Sequence, residues 1–357
     1  MLSQMLEKRN LPELMTAFDG TKITSAAQWP ARRKELIHLL SEQVYGFTPA
    51  APDHVDVEIL STDDDAYAGT AIHRKLSLSF PTPKGTFSFP FDYLLPKSDK
   101  KVPLFISINF RPDFPDKYIP AEEISDHGYA IMNFYYNDVT TDNTEPTGLF
   151  THYPREEKTA WGKIGMWAFA ASRILDYALT LDEIDHARVA VIGHSRLGKT
   201  ALWCSAQDDR FALGISNDSG SSGAAISRDK IGESVEVISR VFPHWFCGNY
   251  RAWADREHEM PFDQHMLLAA SAPRRLCVGS AEKDDWADPT SEFLSALAAS
   301  PAYELHGLTG LVTPDELPAV GSALPEGHIG YQLRAGTHFL SRADWLRYIE
   351  YRNLHNV

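Results

Sequence analysis

Apolar residues change their period twice along this chain. Residues 1–50 are polar and helix-prone, and Ile37, Leu39, Leu40 and Val44 form one short apolar face, the pattern of a helical leader that packs onto something else. Over residues 51–98 the texture becomes alternating: VDVEIL, AIHRKLSLSF and, after the turn residues Pro83-Lys84-Gly85, FSFPFDYLLP. Alternation with a turn between predicts antiparallel strands, here at the edge of a larger sheet. From residue 99 on, the apolar residues come in short unbroken runs, VPLFISINF, GYAIMNFYY, ARVAVIG, FALGIS and RRLCVGS. Such runs mark strands covered on both faces, as in a parallel sheet. Between them Ile164, Trp167, Ala171, Ile174, Leu175 and Ala178 recur at helical spacing, as do Ala201, Cys204 and Ala206, and later Trp345, Tyr348, Ile349 and Arg352. The predicted fold is α/β: a mostly parallel, doubly wound sheet with helices on both faces and antiparallel N-terminal strands.

A length of 357 residues suggests about two domains at ~150 residues each. No repeat, low-complexity linker or hinge divides the chain, so residues 1–357 read as one domain with a leader (1–50), antiparallel strands (51–98) and a catalytic core (99–357). The 34 Lys+Arg against 48 Asp+Glu leave a net charge of −14. That field repels phosphate backbones and anionic bilayers, which excludes a general nucleic-acid or membrane-surface partner. The three cysteines, Cys204, Cys247 and Cys277, stand far apart with no CxxC spacing, so neither a disulfide framework nor a structural zinc site is expected. Glu7, Lys8 and Arg9 interrupt the start of the chain where a secretory signal needs an apolar stretch. The expectation is a soluble, cytoplasmic protein; oligomeric state is left open.

The chemistry concentrates in ARVAVIGHSRLGKTALWCSAQD, residues 187–208. A β-branched strand runs into Gly193-His194-Ser195-Arg196-Leu197-Gly198 and a helix begins at once, the strand–turn–helix of a nucleophile elbow in an α/β-hydrolase fold. The second glycine is displaced by one, since Leu197 holds the fifth place of G-x-S-x-G. The backbone N–H of Arg196, at the helix start, is a natural donor for a developing oxyanion.

A serine nucleophile needs a base and an acid, in hydrolases of this fold in the chain order Ser, Asp/Glu, His. Asp284, Asp285 and Asp288 follow a late strand in SAEKDDWADP. His338 follows them, just past a glycine turn and before the last helix. His328 and His355 lack that placement. No HExxH or His-x-His pair supports a metal, and no Gly-rich phosphate loop supports a nucleotide, so no cofactor is expected.

Gly193 to Lys199 resembles the G-C-S-R-x-G-K signature of the glucuronoyl esterases, carbohydrate esterase family 15. The likeness continues through NDSGSSGAAISR, GESVEVI, FPHWF, MPFDQHMLLAASAPR, DDWADP and AGTHFLSRADW, over roughly residues 100–350. It implies an α/β-hydrolase that cleaves a glucuronic acid ester by an acyl-enzyme route without metal or organic cofactor; related bacterial sequences are often labelled acetyl xylan esterases, which leaves a carbohydrate deacetylase as the alternative. A non-catalytic binding protein of this fold is disfavoured by the presence of all three triad residue types. The resemblance also implies roles for the Arg196 side chain at the oxyanion, Lys199 at sugar hydroxyls, and Trp286 as an apolar wall for a pyranose.

Two departures stand out. Fungal members have a disulfide-bonded cysteine before the nucleophile, where this chain has His194, with Phe339 after the candidate base. The acid has two possible homes: Asp284, preferred, or Asp218, where some members place a glutamate. Asp285 or a shared arrangement stays open behind them.

Overall fold

The computed structural model describes residues 1–357. Its strands are β1 (Asp56–Asp65), β2 (Ala71–Thr82), β3 (Gly85–Pro96), β4 (Val102–Asn109), β5 (Ala130–Tyr135), β6 (Ile184–His194), β7 (Leu213–Asn217), β8 (Arg275–Ala281), β9 (Ala323–Leu324) and β10 (Ile329–Arg334). They form one ten-stranded sheet in the order β1-β2-β3-β5-β4-β6-β7-β8-β10-β9. The alternating segments are the antiparallel edge β1-β2-β3, and the unbroken apolar runs are the parallel block from β5 to β10. This is the α/β-hydrolase arrangement. No helix is long and apolar enough to cross a membrane.

The parallel strands alternate their side chains between two covered faces. Ile192, Ile215 and Cys277 sit side by side in register and face the terminal helix Arg342–His355, which contributes Trp345, Tyr348, Ile349 and Tyr351. Val191, Leu276 and Val278 face the other layer, built from the helices Lys163–Ala178, Arg196–Gln207 and Pro289–Ala298. The helical spacing in the sequence marks these buried stripes.

The first fifty residues pack behind the site. Tyr45 stacks on Trp203 of the helix Arg196–Gln207 with ring centroids 4.4 Å apart, and its hydroxyl donates to the Ser222 carbonyl at 2.7 Å. Buried Arg32 donates to the carbonyls of Leu14 and Glu13 at 3.0 and 3.1 Å, and the Trp29 indole donates to Ala272 O at 3.1 Å. The leader therefore braces the helix that carries the candidate nucleophile.

The turn between β6 and that helix is tight. A Cβ built on Gly193 would lie 2.0 Å from the Leu197 carbonyl oxygen, so only glycine lets the helix start fold back over the strand end. Gly193→Ala is expected to destabilise the protein by about 2–3 kcal/mol through this backbone clash, read as a lowered urea midpoint. An unchanged midpoint contradicts the close crossing.

Candidate active site

Ser195 sits at the apex of the turn with φ 57° and ψ −128°, a left-handed backbone that non-glycine residues adopt only when their surroundings enforce it. Two ties enforce it. The Ser195 N–H donates to Asn217 O at the end of β7 at 2.9 Å, and the Ser195 carbonyl accepts the N–H groups of Gly198 and Lys199 at 2.9 and 3.1 Å. The displaced second glycine has a packing reason: a Cβ on Gly198 would come within 3.0 Å of the Ser219 side chain. Ser195 thus opens the helix, whose first N–H groups have no acceptor within it.

His338 lies in the loop between β10 and the terminal helix. Its Nδ1 is 2.6 Å from Asp284 Oδ2, and its ring centroid is 4.5 Å from that of His194, the residue before Ser195. Asp284 is 4% exposed, and its other oxygen accepts the Ala287 N–H at 3.2 Å. A carboxylate can only accept, so the His338 proton sits on Nδ1 and the Nε2 lone pair is left free.

The other aspartates have different work. Asp218 Oδ2 accepts from Arg334 at 3.2 Å and from the Phe339 N–H at 3.3 Å, not from His338. Burial and the nearby Glu292 charge raise its carboxyl well above the usual range, against the pull of Arg334. Asp288 caps the helix Pro289–Ala298 through the Ser291 N–H at 3.1 Å and also accepts the Ile231 N–H at 3.0 Å. Asp285 is exposed. Arg334 shapes the histidine loop, donating to the carbonyls of Ala335, Thr337 and Phe339 while its Nε holds Asp344 at 2.8 Å.

Arg196 points its guanidinium into an aromatic enclosure, 4.8 Å from the Trp245 ring centre and 5.5 Å from those of Phe110 and Phe242. Nη1 pairs with Asp142, and Nε is buried without an acceptor. Burial alone would raise the Asp142 carboxyl, but hydrogen bonds from His244 and Trp245 and the charge of Arg196 pull it down to about 2. Lys199 is 4% exposed and donates to the Ser219 carbonyl, with Glu233 3.8 Å away; burial lowers its ammonium against the pull of Glu233. Trp286 lies 55% exposed on the loop that carries Asp284, and its carbonyl accepts the Glu233 N–H at 3.1 Å.

These features have counterparts in known proteins. A family profile described as "Glucuronyl esterase, fungi" matches residues 81–307. A carbohydrate esterase from an unknown prokaryotic organism is 37% identical over 394 residues, covering 98% of this chain and 90% of that protein. This chain belongs to the glucuronoyl esterase family. A 4-O-methyl-glucuronoyl methylesterase from Wolfiporia cocos is 28% identical over 318 residues, 84% of this chain and 72% of that protein. Among solved structures, a promiscuous carbohydrate esterase family 15 enzyme from a marine bacterial metagenome superposes with TM-score 0.89 at 35% identity, covering 97% of this chain and 96% of that one. The glucuronoyl esterase from Solibacter usitatus superposes with TM-score 0.88 at 34% identity, covering 96% and 97%. The protein is accordingly a carboxylic-ester hydrolase acting on carbohydrate esters.

Three residues of this esterase's site escape sequence reasoning: Asp142, Arg334 and Glu292. Asp142 sits in the polar segment TTDNTEPTG, which reads as a solvated loop, and Glu292 in a helix with no motif. His194, Asp218 and His338 bring candidate ligand atoms within 4.8 Å of one another, wider than the roughly 3.3 Å between donors that share a zinc at 2.0–2.1 Å. Arg334 also occupies Asp218.

Glu292 is fully buried beneath the site. One oxygen accepts the Gly220 N–H at 2.8 Å, and the other accepts the Ser280 hydroxyl at 2.6 Å. Burial raises its carboxyl to about 7, against those hydrogen bonds. The folded state therefore holds a proton that the unfolded chain, with a carboxyl near 4.5, releases, so this group's contribution to stability falls as pH rises from about 4.5 to 7. Glu292→Gln should lack that slope, so the difference between wild-type and variant melting temperatures should shrink as pH rises over this range. A difference that stays constant with pH contradicts the buried proton.

Proposed function

We propose that this esterase hydrolyses uronate esters of sugars through an acyl-enzyme, with Ser195 as nucleophile, His338 as base and Asp284 as its orienting acid. The observation that carries this reading is the 2.6 Å contact between Asp284 and His338 Nδ1, on a ring that lies against the residue preceding Ser195. His338 Nε2 takes the Ser195 hydroxyl proton as Oγ attacks the ester carbonyl. The tetrahedral oxyanion is met by the Arg196 backbone N–H and by the edge of its part-exposed guanidinium that Asp142 does not bind. The C–O bond to the alcohol breaks, the alcohol leaves with the proton from His338, and water repeats the sequence to free Ser195 and the uronic acid. Asp284 holds the tautomer and stabilises the imidazolium.

The charge of the chain is consistent with this substrate, as with any neutral sugar ester. A uronate ester is neutral and feels no repulsion from a chain of net charge −14, whereas the released uronate is an anion that this field helps expel. Lys199 and Glu233 together offer a donor and an acceptor to ring hydroxyls, and the exposed Trp286 indole offers an apolar face to the pyranose. The names of the Wolfiporia and Solibacter relatives support a glucuronoyl ester. The free, buried cysteines support action in a reducing compartment on already shortened esters; native protein found outside the cell would overturn that placement.

Turnover of methyl glucuronate esters and of acetylated xylo-oligosaccharides tests the substrate: kcat/KM should favour the uronate ester by about tenfold or more. A preference for the acetyl ester points to a deacetylase and refutes the reading. Asp284→Asn should lower kcat by about 10³- to 10⁴-fold. Near-normal turnover in that variant together with loss in Asp218→Asn would move the acid to Asp218.

A further inference from the structure

Asp142 lies between β5 and the helix Lys163–Ala178, far from Ser195 in sequence, yet it touches the guanidinium of the residue next to the nucleophile. Its carboxylate is saturated with donors. Oδ1 accepts from His244 Nε2 at 2.9 Å and from the Trp245 indole at 2.6 Å; Oδ2 accepts from the Tyr136 hydroxyl at 3.2 Å and from Arg196 Nη1. Two carboxylate oxygens offer about four lone-pair sites, so none is left for a substrate hydroxyl. The group is placed to hold something, not to bind or react.

The loop that carries it is itself held from below. Lys163, fully buried at the start of its helix, donates from Nζ to the carbonyls of Thr141 at 2.6 Å and Glu145 at 2.8 Å. The Trp167 indole donates to Thr140 O at 3.2 Å, and the Asp142 N–H donates to Asn137 Oδ1 at 2.8 Å. Residues on both sides of Asp142 are thus fixed to the helix layer, and the carboxylate cannot follow Arg196 if the arginine swings. The rings of Trp245, Phe242 and Phe110 around the guanidinium limit its remaining freedom. One edge of the arginine is committed to Asp142, while the side chain keeps 26% of its surface exposed.

We propose that Asp142 is a positioning residue that binds one edge of the Arg196 guanidinium and so holds the other edge toward the oxyanion, governing turnover through Arg196 without touching substrate. This rests on the reading of Arg196 as an oxyanion donor. An unheld arginine must be ordered during the reaction, and this cost falls on the transition state, where charge appears on oxygen, more than on substrate binding.

The test is a double-mutant cycle on a methyl glucuronate ester. Arg196→Gln should lower kcat by about 10²- to 10³-fold, the range for loss of one oxyanion donor. Asp142→Asn, which presents an amide where Arg196 needs an acceptor, should lower kcat by about 10- to 100-fold with KM changed less than about threefold. In the Arg196→Gln background the same Asp142→Asn change should cost less than about twofold, because nothing remains to position. Losses that multiply in the double variant overturn the inference and leave Asp142 a structural residue. An unchanged kcat in Arg196→Gln overturns both this inference and the oxyanion role of Arg196, while leaving the Ser195 reading intact. Asp142→Glu runs the same cycle should the asparagine variant not fold; it keeps the charge but moves it by one methylene, so an intermediate loss that vanishes without Arg196 supports the proposal, and a loss that persists overturns it.

Discussion

The site depends on how three parallel strands end. β6 stops at His194 because Ser195 must turn left-handed for the helix to start, a conformation that costs about 1–3 kcal/mol and persists only where neighbours enforce it. The neighbours are the ends of β7 and β8: the Ser195 N–H reaches Asn217 O, and the Asp218 N–H reaches Gly279 O at 2.7 Å. Each strand end is thus tied to the next, and the serine, the Asp218 corner and the loop with Asp284 keep one register. A slip of β7 by one residue would turn every side chain at this corner to the opposite face of the sheet.

Around that corner long basic side chains fasten loops by their carbonyls. Arg334 gathers the carbonyls of residues 335, 337 and 339 and so presents His338; Lys163 does the same for the Asp142 loop, and Arg228 for the carbonyls of Met260 and Phe262. Buried cations demand such partners, and once satisfied they make a loop as rigid as a sheet edge. Where the resemblance implies a disulfide in fungal relatives, this chain substitutes rings: His194 and Phe339 both pack against Tyr118, with centroids 5.8 and 5.0 Å away. That contact joins the nucleophile turn to the histidine loop without sulfur chemistry.

The change of hydrophobic period made the fold legible, because strands covered on two faces and strands at an edge bury different residues. The elbow and the order of serine, acid and histidine were legible for the same local reason. Choosing between Asp284 and Asp218 was not: the choice depends on Arg334, a residue without a motif that claims Asp218 from across the loop. Nothing local marks Lys199, one turn into a helix, as buried, yet it is enclosed with its ammonium on the Ser219 carbonyl and near Glu233. Asp142 and Glu292 act through contacts 54 and 72 residues distant in sequence, which no local pattern encodes.

The whole mechanism stands or falls on Ser195 attacking the ester and carrying the acyl group. Active-site labelling with a fluorophosphonate, followed by intact mass and peptide mapping, tests it most directly. One phosphonyl adduct per chain is expected, on Ser195 within the Gly193–Lys199 segment, and none in Ser195→Ala. An adduct on another residue, or labelling that survives in Ser195→Ala, would contradict it.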